Sequence, residues 1–478
     1  MKDTDSPTHK NMKRIFSIFI LCLCSLALWA GGQAKYVFYF IGDGMGVNQV
    51  NLAQTYLAAL EGRIGIQPLC FTSFPNAALV TTYSATNGVT DSAAAGTALS
   101  TGSKTKNGAL GMKADGKTPL QSIARQAAAH GAAVGVSTSV SVDHATPAAF
   151  YAQQAARSSY HAIGTDLVRA GFDFYAGSDF LQPTTKEGSE NLYEQCQKAG
   201  YVIARGYEDF QSQQKKAKKL LLLQTEEASA KDRSSLPYAI DRTDDALTLS
   251  QITQAGIDFL SQKSKKGFFL MVEGGKIDWA CHSNDAATVI HEILDMDKAV
   301  SIAFDFLKKH PEETLIVVTA DHETGGLVMG RGPYELHSDL LQHQRMSVEA
   351  YAAHLKELQK QHGESLSWDT VKQDLAENWG LGKEVKLSEK QEKRLENAFR
   401  SMKEGSSTDH KTLYASISAL ADAARATLAE CALIGWQSGG HSNGYVPVFA
   451  VGVGAEKFHG QMDNTEIPLR IAEAAGWE

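Results

Sequence analysis

The sequence predicts an α/β protein, a three-layer α/β/α sandwich around a central, mostly parallel sheet. Short runs that are apolar throughout, such as YVFYFIGDG (36–44), GFFLMVEGG (267–275) and LIVVTADHE (315–323), alternate with segments of helical periodicity. Continuous apolar runs are typical of strands covered on both faces, and intervening helices are typical of parallel sheets. An apolar fraction of 43% over 478 residues is sufficient for a large buried core.

Each of these three strands ends in a carboxylate, namely Asp43, Glu273 and Asp321. A single acid after a strand is commonly the N-cap of the next helix. Ligands of open parallel sheets, however, bind beyond the carboxyl ends of the strands. We therefore expect the three acids to meet at one edge of the sheet and to form part of a site.

The stretch from about 331 to 438 is predicted to be an inserted helical subdomain that shapes access to this edge. MSVEAYAAHLKEL and SEKQEKRLENAFRSM have apolar residues at helical spacing, and the second opens with a capping pattern at Ser388 and Gln391. A third helical segment ends near Gly435, and no carboxylate-tipped strand lies in this stretch. A plain extension of the core remains the alternative.

Residues 1–34 are predicted to be a secretory signal peptide, with Met12 as a candidate start. Basic residues precede an apolar run from Ile15 to Trp29, and small residues follow at Gly32 and Ala34. An N-terminal membrane anchor is the alternative, but the run is short for a span of roughly 20 apolar residues. We expect a periplasmic or secreted protein whose mature chain has no membrane span.

The net charge and the cysteine content bear on nucleic-acid binding, metal binding and disulfide formation. The formal net charge of −8, without a long basic stripe, argues against nucleic-acid binding. After signal removal the chain keeps four cysteines, whose spacing fits no CxxC metal site, and export permits a disulfide without specifying one. These are Cys70, Cys196, Cys281 and Cys431.

Histidines near the acids suggest metal ligands. Asp278 and His282 are four residues apart, so on a helix they share one face, as two ligands of one metal would. That spacing alone is weak, since such pairs often only meet on a helix surface. Asp321-His322 at a strand end and His441 in GGHSNG complete a set of acids and imidazoles predicted at one sheet edge.

The charge of this set requires cations. Asp43, Glu273, Asp278 and Asp321 would place four negative charges in one pocket, which repulsion and desolvation disfavour. Imidazole with carboxylate suits zinc, and oxygen ligands such as Glu273 with a nearby threonine suit magnesium. Two zinc ions and one magnesium ion would leave about two positive charges, which suits a dianion.

Ser92, in VTDSAAAGTA (89–98), is a candidate nucleophile with no histidine near it in sequence. A bound metal would lower the pKa of its hydroxyl and hold it as an alkoxide. The start of a helix adds N–H groups that favour an anion. The alternative is that Ser92 only caps this helix.

Residues 440–444 match the serine-hydrolase pattern GxSxG. That pattern requires a strand before the serine and a helix after it. Here a polar segment precedes Ser442 and a strand-like segment follows, so we reject this serine as a nucleophile.

Six motifs in the same order resemble those of the alkaline phosphatases: FIGDGMG, TDSAAAGTA, HATPAAF, VEGGKIDWACH, TADHETGG and GGHSNG. The resemblance extends from residue 36 to the C terminus and fades over 331–438. It implies that residues 35–478 form a catalytic domain that hydrolyses phosphate monoesters through a phosphoserine. It further implies two zinc ions, one magnesium ion and a homodimer.

The resemblance also assigns roles to residues. Ser92 would be the nucleophile, and the planar fork of Arg157 would grip two phosphate oxygens. The zinc that binds the leaving-group oxygen would be held by Asp278, His282 and His441. The zinc that activates the serine would be held by Asp43, Asp321 and His322. The magnesium would be held by Asp43, Thr146 and Glu273.

Two positions depart from the best-known enterobacterial members. His144 and Trp279 stand where those members have aspartate and lysine, as in animal and marine bacterial members. Both are expected to border the substrate. Their presence leaves open the affinity of the third metal and the release of phosphate, but not the reaction class.

Three other functions are weighed against this one. A sulfatase would need a C/S-x-P-x-R context, which SAAAG lacks. A phosphodiesterase usually has threonine as its nucleophile. A secreted metal- or phosphate-binding protein without turnover would not need Ser92 together with Arg157.

Overall fold

The computed structural model describes residues 32–185, 188, 191–406 and 408–478. The predicted signal peptide, residues 1–34, lies outside the described residues except for its last three. No helix in the described part of the chain combines the length and the apolarity needed to cross a bilayer.

The core of the described chain is a ten-stranded sheet with the order β16-β2-β15-β8-β1-β7-β3-β4-β6-β5. Only β15 runs antiparallel to its neighbours, so the predicted α/β fold with a mostly parallel sheet is confirmed. The strands are β1 Tyr36–Gly42, β2 Asn76–Thr81, β3 Ala133–Thr138, β4 Phe174–Gly177, β5 Tyr201–Arg205, β6 Lys219–Leu223, β7 Phe268–Gly274, β8 Thr314–Ala320, β9 Glu323–Thr324, β10 Val328–Met329, β11 His410–Lys411, β12 Ser416–Ile417, β13 Ile434–Gly435, β14 His441–Ser442, β15 Val446–Gly452 and β16 Gly460–Asp463.

Helices flank this sheet, and every residue of β7 and β8 is buried, as expected for strands covered on both faces. The α-helices are Val47–Leu60, Ser92–Thr101, Ile123–Ala129, Ala145–Ala148, Tyr160–Ala170, Leu192–Lys198, Tyr207–Gln213, Glu226–Lys231, Leu249–Leu260, Lys276–His282, Ala286–Lys309, Val348–His362, Trp368–Trp379, Glu389–Lys403, Ala419–Cys431 and Glu466–Ala475. The 3-10 helices are Phe71–Ser73, Ser338–His343, Gly363–Ser365 and Ala455–Lys457.

The register of the central strands brings the three predicted acids together. Gly42, the last residue of β1, pairs with Gly274 on one side and with Ala320 on the other. Asp43 therefore emerges beside Glu273, which lies in β7, and beside Asp321, which follows β8. The expectation that these acids meet at the carboxyl edge is confirmed.

Helices dominate the chain between β10 and β13, with the short hairpin β11–β12 among them. The capping pattern predicted at Ser388 forms a capping box with Gln391, so the helix Glu389–Lys403 begins where the sequence indicates. Strand β10 pairs antiparallel with β13, so the two ends of the segment between these strands lie next to each other.

The cysteines left open by the sequence are unpaired. Among the described residues Cys70, Cys196, Cys281 and Cys431 all carry free thiols. Cys281 is buried in the helix Lys276–His282, next to His282.

Candidate active site and metal centre

The carboxyl edge of the sheet carries a cluster of acidic and imidazole side chains, nearly all of them buried. Their ligand atoms form three groups, and the atoms of each group lie within 4.8 Å of one another. The first group is Asp43, Asp321 and His322; the second is Asp278, His282 and His441; the third is Asp43, His144 and Glu273. Asp43 belongs to two groups, so it occupies the centre of the site.

The first group has the spacing of tetrahedral ligands. His322 Nε2 lies 3.3 Å from Asp43 Oδ1 and 3.4 Å from Asp321 Oδ2. Ser92 Oγ lies 3.2 Å from the same nitrogen. Ligands bound tetrahedrally to zinc at about 2.0 Å are about 3.3 Å apart. The first group with Ser92 therefore fits one zinc ion.

The second group joins the helix Lys276–His282 to the segment around His441. Asp278 Oδ2 and His441 Nε2 each lie 3.3 Å from His282 Nε2. One helical turn separates Asp278 from His282, which confirms the predicted shared face. These atoms have the same tetrahedral spacing.

Backbone carbonyls orient the two histidines of the second group. His282 Nδ1 donates to the carbonyl of Gly439 at 2.5 Å, and His441 Nδ1 donates to that of Thr90 at 2.9 Å. Because a carbonyl only accepts, each ring carries its proton on Nδ1 and presents an Nε2 lone pair. Two lone pairs facing each other at 3.3 Å require a cation or a proton between them.

Thr324 orients the remaining histidine, and the sequence did not single it out. Its hydroxyl donates to Asp278 Oδ1 at 2.5 Å and lies 3.2 Å from His322 Nδ1. A hydroxyl has one proton, so Thr324 accepts from His322 and leaves His322 Nε2 facing Ser92. Thr324 lies inside the motif TADHETGG, three residues after Asp321, which was the available signal.

The third group contains two of the three predicted magnesium ligands, Asp43 and Glu273, together with His144. The three groups comprise only acidic and imidazole side chains, so they do not test the predicted ligand Thr146. Thr146 lies beside the group, with Oγ1 3.4 Å from Asp321 Oδ2 and a hydrogen bond to Glu273. The position therefore offers oxygen ligands together with one imidazole.

Several buried atoms of the groups have no hydrogen-bond partner within the described residues. They are both carboxylate oxygens of Asp43, Oε1 of Glu273, Oδ2 of Asp278 and Nδ1 of His144. Burying a carboxylate without a partner is costly, and a bound cation removes that cost. The donor set consequently fits divalent metal ions.

The acids of the first and third groups repel one another. Burial, followed by the charge of Asp321, raises the pKa of Asp43 well above its ordinary value. Burial likewise raises the pKa of Glu273 to about 8 and that of Asp321 to about 7. Without metal ions, part of this negative charge is neutralised by protons.

Two of the imidazoles, those of His144 and His322, are held in the neutral form that binds metals. Burial, with the charge of Arg157, lowers the pKa of His144 to about 3. Burial, followed by His441, lowers the pKa of His322 well below its ordinary value. Because a metal ligand must be deprotonated, these rings are ready to bind.

Ser92 does not cap its helix. Asp91 is the N-cap, and its side chain accepts a hydrogen bond from the backbone N–H of Ala94. The hydroxyl of Ser92 instead lies 3.2 Å from His322, which is 230 residues away in the chain. The histidine missing from the local sequence is therefore supplied by the fold.

Arg157 is fixed by Asp91 beside the serine. Its Nη1 lies 3.2 Å from Asp91 Oδ2, and its Nη2 lies 3.4 Å from His144 Nε2. Burial opposes its charge, but Tyr414 and Asp91 keep the pKa of the guanidinium above its ordinary value. One carboxylate thus positions both the helix of Ser92 and this cation.

Trp279 forms part of an aromatic group at the edge of the site. Its ring meets His144 edge to face at 6.1 Å and stacks on Tyr414 at 4.2 Å. Tyr414 lies in the stretch where the motif resemblance fades, and no sequence signal indicated it.

Gly44 permits the close approach of the two motifs around Asp278 and Thr324. Its φ is 72°, and a Cβ there would lie 2.9 Å from both Asp278 Cα and Thr324 Oγ1. We expect Gly44→Ala to lower the free energy of unfolding by about 3 kcal/mol and to weaken retention of bound metal. Gly62→Ala is the control, because Gly62 has a φ of 68° with no described atom within 4 Å, so it should cost about 1 kcal/mol. If denaturant titrations showed the same loss of unfolding free energy in both variants, close contacts at Gly44 would not be the cause.

The GxSxG match at 440–444 is not a nucleophile elbow. Ser442 lies in β14 and donates to Glu323, and the chain continues into strand β15 and not into a helix. The rejection of this serine is confirmed.

A buried serine lies beside three groups of potential metal ligands at the carboxyl edge of an α/β sheet, an arrangement typical of metal-dependent hydrolases. The family model described as alkaline phosphatase matches residues 34–477. Alkaline phosphatase 3 of Bacillus subtilis is 32% identical over 452 residues, which cover 92% of this chain and 89% of that protein. This chain belongs to the alkaline phosphatase family, and the resemblance drawn from its motifs is confirmed.

Solved structures agree with this assignment. The cold-active alkaline phosphatase of a psychrophilic Shewanella matches with a TM-score of 0.76 and 31% identity, over 92% of this chain and 99% of that one. A variant of the enzyme from the Antarctic bacterium TAB5, with histidine replaced by aspartate, has magnesium bound in its M3 site. It matches with a TM-score of 0.62 and 25% identity, over 93% of this chain and 99% of that one.

Proposed function

We propose that this chain hydrolyses phosphate monoesters by transferring the phosphoryl group to Ser92, and that water then cleaves the phosphoserine. Membership in the family supports phosphoric monoester hydrolysis. The mechanism rests on one observation, the position of Ser92 Oγ 3.2 Å from His322 Nε2 in the first group. A buried hydroxyl at a helix start, next to metal ligands, is placed to attack phosphorus.

We propose two zinc ions, one in each of the first and second groups, and one magnesium ion in the third. Imidazole mixed with carboxylate suits zinc, and oxygen-rich sets suit magnesium. The TAB5 variant with magnesium in its M3 site supports a magnesium position in this family. When bound, such cations lower the pKa of a ligating hydroxyl and neutralise charge on a phosphoryl group. Asp43, Thr146 and Glu273 would supply oxygens, and His144 adds a nitrogen that also suits zinc.

Arg157 is proposed to hold the phosphoryl oxygens. Its guanidinium is fixed at one edge by Asp91, and a planar fork binds two oxygens of one phosphate. His144, 3.4 Å from Arg157, and Trp279 beside it would border the same oxygens. The first group adjoins Ser92, so the second group, with Asp278, would face the leaving oxygen of an in-line displacement.

The proposal also covers domain organisation, export and assembly. Residues 35–478 would be one catalytic domain with a helical insertion at about 331–438, supported by the pairing of β10 with β13 at its ends. The signal-like N terminus supports a periplasmic or secreted location. A homodimer is proposed from the family alone, and small phosphate monoesters are the proposed partners.

Removal of metal ions tests this proposal. We expect the purified protein to hydrolyse p-nitrophenyl phosphate above neutral pH, to lose that activity on dialysis against a chelator, and to regain it with zinc plus magnesium. Rates measured with zinc alone, magnesium alone and both separate the proposed sites. Activity that survives when elemental analysis finds no bound metal would refute the mechanism.

A further inference from the structure

A short hairpin carries an aromatic side chain into the site from the helical segment. Strands β11 and β12 enclose a turn in which Thr412 N donates to the carbonyl of Ala415 at 2.8 Å. Thr412 Oγ1 accepts from the N–H groups of Tyr414 and Ala415 at 3.3 and 2.9 Å. The turn thereby holds the backbone of Tyr414 in one conformation.

A chain of polar contacts ties this hairpin to the second group. His410 Nδ1 lies 3.2 Å from Asp422 Oδ1, which is 2.6 Å from Arg425 Nη2. Arg425 Nη1 in turn donates to the carbonyl of Asn284 at 3.1 Å, two residues after His282. The hairpin is therefore anchored to the end of the helix that supplies Asp278 and His282.

The ring of Tyr414 occupies a defined position beside the second and third groups. It stacks on Trp279 with centroids 4.2 Å apart and planes inclined by 11°. It meets His282 edge to face at 5.4 Å and lies 6.2 Å from His144. Contacts with three site residues leave this half-buried ring little freedom.

The phenol hydroxyl of Tyr414 has no hydrogen bond to any residue in the part of the chain that the structure describes. The ring of Tyr414 contacts both His282 and His144, and His144 Nε2 lies 3.4 Å from Nη2 of Arg157, the proposed phosphate-binding residue. A donor held among these groups without a protein acceptor is placed to serve a ligand.

We propose that Tyr414 is a substrate-binding residue whose hydroxyl donates to an oxygen of the phosphate gripped by Arg157. The inference rests on the proposed function and extends it, because it gives the segment 331–438 a direct contact with the substrate. Trp279 sets the position of the phenol through the stack. The ligand class is the phosphate group, whether in a monoester or as free inorganic phosphate.

Tyr414→Phe tests the hydroxyl while it keeps the stacked ring. In the metal-loaded enzyme we expect kcat/KM for p-nitrophenyl phosphate to fall about tenfold or more, as for loss of one hydrogen bond to a charged group. The inhibition constant of inorganic phosphate should rise by a similar factor. Tyr334→Phe, at a fully exposed tyrosine of the same segment, should change neither value.

Tyr414→Leu and direct binding complete the test. If the phenol hydroxyl acts, Tyr414→Phe should show most of the loss seen with Tyr414→Leu. A Phe variant within twofold of wild type in both constants would overturn the proposal, even if the Leu variant were defective. Calorimetric titration of inorganic phosphate into the metal-loaded protein reads the contact without turnover. An inactive wild type would count against the proposed function, whereas equal phosphate affinity of wild type and Tyr414→Phe would count against Tyr414.

Discussion

Ser92→Ala is expected to reduce kcat for p-nitrophenyl phosphate by about 10⁴-fold or more, because it removes the proposed nucleophile. The fold should persist, since Asp91 and not Ser92 caps the helix Ser92–Thr101. The contacts of Asp43, Asp321 and His322 with one another do not depend on the serine, so zinc and magnesium contents should stay near those of wild type.

Ser100→Ala is the matched control for this variant. Ser100 lies in the same helix and is also buried, but its hydroxyl donates to the carbonyl of Ala149 and not to the site. We expect it to lower stability by about 1 kcal/mol and to leave kcat unchanged. Trapping of a labelled phosphoryl group should succeed in Ser100→Ala and fail in Ser92→Ala. Full turnover by Ser92→Ala would exclude it as the nucleophile.

Asp43→Asn is expected to disable two metal positions at once, because Asp43 belongs to both the first and the third group. Losing a residue that only hydrogen-bonds to a metal ligand lowers metal affinity or activity by about 10- to 100-fold. Because Asp43 would itself be a ligand of two metals, its loss should lower activity by at least about 100-fold. Elemental analysis should find a lower total metal content than in wild type but not complete loss, because the second group, built on Asp278, does not contain Asp43. Wild-type metal content would contradict the shared role.

The same variant should have the opposite effect on the metal-free protein. Without cations, the buried charge of Asp43 repels those of Asp321, Asp278 and Glu273, and an amide of the same shape carries no charge. We expect Asp43→Asn to raise the free energy of unfolding of the metal-free protein at pH 8. Asp305→Asn, at an exposed acid paired with Lys308, should change it little.

The pH dependence of this difference follows from proton binding. In the metal-free fold the pKa values of Asp43, Glu273 and Asp321 are raised above unfolded values of about 4. Their stabilising protonation is complete below pH 4 and is lost as the pH rises through about 7 for Asp321 and about 8 for Glu273. Metal-free wild type should therefore lose stability between about pH 5 and 8, and Asp43→Asn should lose less. If the curves of unfolding free energy against pH were parallel for the two proteins, repulsion between Asp43 and the neighbouring acids would be contradicted.

Sequence alone determined the fold class and most of the candidate site, because those features follow from local sequence patterns. Continuous apolar strands ending in Asp43, Glu273 and Asp321 predicted a parallel sheet with acids at one edge, and the register of β1 with its neighbours confirms it. The four-residue spacing of Asp278 and His282 predicted one helix face, since helical periodicity is a local property.

Tertiary structure alone decided the detailed contacts between several distant groups. His322 reaches Ser92 across 230 residues, the carbonyls of Gly439 and Thr90 fix the histidine rings, His144 completes the third group, and Tyr414 stacks on Trp279. No periodicity or spacing in the sequence predicts these contacts, because they depend on how separate strands, helices and loops pack against one another. The identities of the candidate ligands could therefore be predicted from local sequence and motifs, but their orientation and their neighbours were set only by packing.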